Sequence, residues 1–118
     1  MKHLEPTPTF THTAKELLST GEKLVVFEAI EDDPWSGVVV EIDGEEFGGR
    51  TRFMQFPLDG DKQSRRGHYL KVTYSIFNEG DYILLLHVGT ESQWERWMRN
   101  KGARTVIAAA LRGLLTGA

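Results

Sequence analysis

At 118 residues, with 40% hydrophobic residues and six Phe, three Trp and three Tyr, the chain is long enough to bury a core in one domain and too apolar for wholesale disorder. It has no cysteine, which excludes a disulfide framework, a thiolate zinc site and a cysteine nucleophile. Its net charge of -3 conceals a polarised chain: every charged residue between Leu24 and Gly49 is acidic, a balance of -8, whereas from Arg50 onward eleven basic residues face six acidic ones, a balance of +5.

Residues 1–12, with Pro6 and Pro8 among threonines, read as an extended arm, and residues 13–118 as one α+β domain. Thr13 and Glu16 have capping-box spacing and Gly21 stands as a stop, which predicts a short helix over 14–20. From 22 to 90 the chain is rich in Val, Ile, Phe and Tyr, and five antiparallel strands are expected. The first spans 23–30. The second and third, 36–42 and 45–56, flank Asp43-Gly44, a favoured pair for a two-residue turn, with Val38 opposite Gly49 and Val40 opposite Phe47. Gly48-Gly49 is assigned to a bulge, and Arg50 and Arg52, two residues apart, to one side of the strand.

The fourth and fifth strands, 69–77 and 81–89, are joined by Asn78-Glu79-Gly80. That loop pairs Val72 with Leu86 and Lys71 with His87. Thr90 and Gln93 make another capping box, followed by Trp94, Trp97 and Met98 at helical spacing, and a last helix is expected over 103–116. The sum is a short N-terminal helix, a five-stranded antiparallel sheet able to curl toward a barrel, and two C-terminal helices packed on one face.

Residues 57–67, PLDGDKQSRRG, join two strands by eleven residues, longer than hairpins usually need. Lys62, Arg65 and Arg66 lie on this loop, with Arg50, Arg52, Lys71 and Tyr69 on the adjoining strands, a mixture suited to phosphate backbones or an acidic protein surface. Glu31, Asp32 and Asp33 form a candidate acidic patch for a basic partner. No histidine or carboxylate spacing indicates a metal site, and no cofactor motif occurs. His87 and His68 are the candidate bases for metal-independent RNA cleavage.

The stretch Asp81 to Val88, DYILLLHV, followed by a helix, is similar to part of the small ribonuclease toxins of the RelE type. The likeness covers little of the chain, and the two helices that open that fold have no counterpart among the elements read here. The leading expectation is therefore a small non-enzymatic binding domain that engages a protein, of inhibitor, immunity or accessory-subunit type, through its charged surfaces and the 57–67 loop. RNA or DNA binding by the basic side is the alternative, and a metal-independent ribonuclease the weaker one. The apolar runs fall far short of the ~20 residues that would span a bilayer, so a cytoplasmic protein is expected, with self-association through the C-terminal helix as a further option.

Overall fold

The computed structural model describes residues 2–42, 48–57 and 69–115. Strand β1 (His3–Pro6) runs directly into helix α1 (Pro8–Leu17), so the expected extended arm over residues 1–12 is part strand and part helix. Thr7 makes the junction. Its N–H donates to the Leu85 carbonyl at 3.0 Å, continuing the strand pairing, while its hydroxyl accepts from the Phe10 N–H at 3.2 Å and caps the helix. Pro8 sits at the first helical position, where its missing N–H costs nothing. The helix therefore begins six residues earlier than expected, and Thr13 lies within it.

Helix α2 (Thr20–Asp32) replaces the strand expected over 23–30. Ser19 accepts from the Glu22 N–H at 3.1 Å, and the Glu22 carboxylate accepts from the Ser19 N–H at 2.9 Å. This capping box starts the helix at the point where Gly21 is expected to stop one. Val26 and Ile30, four residues apart, are its buried stripe, while Leu24 and Val25 are exposed. The β-branched pair Val25-Val26 has strand propensity, but helix capping and burial on one face prevail.

A 3₁₀ turn (Pro34–Ser36) leads into the two-residue edge strand β2 (Val38–Val39). Strand β3 (Thr51–Pro57) pairs with it so that Val38 faces Phe53 and Val39 faces Arg52. The expected Val38–Gly49 pairing is thus displaced by four residues. Val40 donates to the Thr51 carbonyl at 2.9 Å, so its strand partner is Thr51 and not Phe47. The Asp43-Gly44 turn lies outside the described residues. Gly48 and Gly49, at φ 67° and 74°, belong to the turn entering β3 and not to a bulge.

Strands β4 (Tyr69–Phe77) and β5 (Tyr82–Thr90) form the centre of the sheet. Their register begins Phe77 to Tyr82 and Ile76 to Ile83, and then shifts between Thr73 and Tyr74, so that Thr73 faces His87 and Lys71 faces Gly89. The expected pairing of Lys71 with His87 and Val72 with Leu86 is off by one residue from the loop onward, where Phe77 meets Tyr82, and by a second residue beyond this irregularity. The shift puts Leu86 in the same cluster as Trp97 while His87 stacks on that indole, so successive residues of β5 serve one face.

The five-stranded sheet has the order β1-β5-β4-β3-β2, with β1 parallel to β5 and the other pairs antiparallel. It is open and not closed into a barrel. One face packs Leu70, Val72, Tyr74, Ile76, Leu85 and Val88 against Phe10, Ala14 and Leu17 of α1 and Val26 and Ile30 of α2. The other meets helix α3 (Glu91–Arg99), capped by Thr90 and Gln93 as the sequence predicts, and helix α4 (Lys101–Leu115). Trp97, Ala108 and Leu111 join Phe77, Leu84 and Leu86 there. The last helix thus covers its own sheet. The architecture is α+β, with helices on both faces of the sheet.

Candidate functional site

The sheet face beneath α3 and α4 is unusually polar for an interior. Thr51, Lys71, Thr73, Ser75 and His87 are all buried. Thr51 and Ser75, paired across β3 and β4, join hydroxyls at 2.8 Å, and the Trp94 indole N–H donates to the Thr73 hydroxyl at 3.0 Å. These bonds satisfy groups that would otherwise be costly to bury.

Lys71 is the charged centre of this layer. Its side chain is only 8% exposed, and the ammonium lies 4.0 Å from the centre of the Trp94 ring and 4.6 Å from that of Phe53. Glu91, at the first position of α3, reaches it at 3.1 Å. The rings' negative faces and the carboxylate replace the water that the ammonium has lost. The arrangement ties α3 to the sheet.

His87 stacks on Trp97 with ring centroids 4.6 Å apart and planes 8° from parallel. Its Nδ1 has no hydrogen-bond partner among the described residues. Burial penalises the imidazolium and pulls the pKa down to about 4, so the ring is neutral at physiological pH. It is sealed under the indole.

Arg52 is equally committed. Its Nε donates to the Gly49 carbonyl at 2.9 Å, its guanidinium donates to the carbonyls of Trp35 at 2.6 Å and Gly37 at 2.9 Å, and the same group lies 5.2 Å from the Trp35 ring centre. Arg52 pins the turn before β2 to the turn before β3. Nearby, Tyr74 donates to the Pro34 carbonyl at 2.6 Å, and burial raises its pKa well above the ordinary phenol value.

The residues singled out from the sequence are therefore divided. Lys71 and Arg52 are held by internal partners, and Arg50 sits half-buried in the turn before β3. Tyr69, 54% exposed, opens β4 opposite Pro57. Lys62, Arg65, Arg66 and His68 lie outside the described residues. Glu31, Asp32 and Asp33 are exposed at the end of α2, where the Lys2 ammonium donates to the Glu31 carbonyl oxygen. Glu91 was missed as a partner of Lys71. Its signal was its place one residue after a helix cap and two after Gly89, the cross-strand neighbour of Lys71. Among the described residues no group of three or more His, Cys, Asp or Glu could hold a metal, and no helix is long and apolar enough to cross a membrane.

No protein-family model and no curated protein matches the chain. The fold is of the class with an open, mostly antiparallel sheet, one helix pair after the first strand and another after the last. Among solved structures that share it is a mutant of the Escherichia coli toxin RelE in the free state. That structure has a TM-score of 0.53 and 12% identity, with 81% of this chain and 90% of that chain covered. At this identity the likeness is one of fold. The helix pair whose apparent lack weighed against a RelE-type resemblance is present as α1 and α2. This fold likeness overturns the leading expectation of a non-enzymatic protein-binding domain.

Proposed function

We propose that the protein is a metal-independent ribonuclease built on a RelE-like fold. The observation that carries this reading is the likeness to toxin RelE over most of both chains. In such a reaction the 2′-hydroxyl of RNA attacks the adjacent phosphorus while a base takes its proton. Cations stabilise the charge that gathers on the phosphoryl oxygens. Solvent returns a proton to the departing 5′-oxygen, leaving a 2′,3′-cyclic phosphate. His87 is a poor base for this purpose because Trp97 seals it, so the role falls to His68 in the connection between β3 and β4. Lys62, Arg65 and Arg66 of that connection supply the cations, and exposed Tyr69 supplies a ring on which a base can stack.

The test is cleavage of single-stranded RNA, alone and in a translating extract, in the presence of EDTA. Cleavage that stops at a 2′-deoxy substitution and falls at least about 100-fold in His68→Ala is expected, within the usual range for losing an acid–base group. No cleavage by the wild-type protein, or cleavage unchanged when His68 and His87 are both replaced by Ala, would overturn the proposal. A second reading, RNA binding without cleavage, is favoured by the burial of His87 and the neutralisation of Lys71 by Glu91. It predicts binding by a wild-type protein that does not cut.

A further inference from the structure

The basic half of the sequence offers fewer available cations than its count implies. Arg52 is spent on three carbonyls, and Lys71 on Glu91 and two rings. At the junction of α3 and α4 the situation is different. Arg96, Arg99 and Lys101 are exposed, and the side chains of none of the three make a hydrogen bond or ion pair among the described residues. Arg104 is half-buried and its Nε has no hydrogen-bond partner among the described residues. From Arg96 to the end of the sequence all five charged residues are basic.

Helix electrostatics do not account for this cluster. Arg96 and Arg99 fall in the last turn of α3, where the helix dipole favours cations. Lys101 and Arg104, however, occupy the first turn of α4, where the dipole disfavours them, and no acidic residue stands there to compensate. The chain has placed positive charge where the fold is made less stable by it. Arg96 and Arg99, three residues apart, are neighbours on one helix face, with Cβ atoms about 5–6 Å apart. With Ser92, Glu95 and Asn100 they line an open depression. Beneath it, α3 is fixed by the Trp97–His87 stack and the Trp94–Thr73 hydrogen bond.

We infer that the α3–α4 junction, with Arg96, Arg99, Lys101 and Arg104, is a docking surface for the phosphate backbone of single-stranded RNA. This rests on the ribonuclease reading and extends it to a surface apart from the β3–β4 connection. Two guanidinium forks side by side suit successive phosphates of one strand, and Lys101 and Arg104 carry the contact past the bend at Asn100. Glu95 also lines the depression, so the anion seats on the arginines and away from that carboxylate.

The experiment measures anisotropy of a labelled, uncleavable 2′-O-methyl RNA against salt for wild type, Arg96→Glu/Arg99→Glu, and Lys15→Glu/Lys23→Glu. The last pair makes the same charge change on α1 and α2. The arginine variant is expected to bind at least tenfold more weakly, with a salt slope smaller by about 1.4, as two single-strand phosphate contacts at about 0.7 each require. The lysine variant is expected to stay within about threefold of wild type, because its charges are screened at a distance. Equal loss in both variants, or wild-type binding by the arginine variant, would overturn the surface. So would displacement of the RNA by polyglutamate at matched charge. Unchanged binding by the arginine variant together with lost cleavage in His68→Ala sinks this surface alone, whereas a wild-type protein that neither binds nor cuts RNA sinks both readings.

Discussion

His87 makes a sharp prediction about acid stability. The ring is 4% exposed, lies flat on Trp97, and has its pKa pulled by burial from the ordinary 6.5 to about 4. Because the folded value is the lower one, the unfolded chain takes up a proton first as the pH falls. Stability from this residue is therefore complete above about pH 6.5, declines as the pH drops toward 4, and is lost below that. A displacement of about 2.5 pH units at 1.36 kcal/mol each sets an upper bound of about 3 kcal/mol. In a chain of this length that corresponds to a fall in Tm of about 10 °C. The perturbation is His87→Phe, which keeps a flat ring against Trp97 and removes the titration. Urea melts of both proteins from pH 4 to pH 8 isolate the effect, since every other titrating group is common to the two. The wild-type curve should drop by about 2–3 kcal/mol relative to the variant between pH 7 and pH 4. Parallel curves across that range would refute the buried, neutral imidazole.

Two further substitutions probe the packing around it. Lys71→Ala empties the space between Phe53 and Trp94 and should cost about 2 kcal/mol in denaturant melts, while Lys71→Met, which keeps the stem, should cost less than half as much. Equal losses would mean that charge and not packing holds α3 to the sheet. Gly37→Ala would bring a Cβ to 2.4 Å from the Tyr74 hydroxyl and 2.9 Å from the Phe53 carbonyl. A loss of about 1–3 kcal/mol is expected. The same change in a Tyr74→Phe background should cost less because one clash is gone, and a double-mutant cycle with zero coupling would contradict this contact.

The architecture was legible where local chemistry and global packing agree. Thr90 and Gln93 announced α3, and the Val/Ile/Tyr alternation of 69–77 and 81–89 announced the central hairpin. The N-terminal third misled because its signals compete. Leu24, Val25 and Val26 favour a strand by propensity, yet Ser19 and Glu22 cap a helix whose buried positions are Val26 and Ile30. Thr7-Pro8 carried the start of α1, but its prolines also fit an extended arm. The site was less legible for a different reason. The fate of each cation depends on contacts distant in sequence: Arg52 finds carbonyls at Trp35 and Gly37, and Lys71 finds Glu91. Charge counting sees the residues but not their partners. The irregularity between Thr73 and Tyr74, which brings His87 under Trp97, has no local marker in a run of ordinary strand residues.

Strand β1 has a consequence for how the protein comes to be folded during synthesis. It pairs with β5, and Thr7 reaches Leu86 across a separation of 79 residues. Closing so large a loop gives no return until β5 has left the ribosome. Until then α1, α2 and the apolar faces of β3 and β4 are exposed without the strand that lies between β1 and β4. Maturation thus waits on a late segment, and the nascent chain is most open to aggregation or to chaperone capture in the interval before β5 appears.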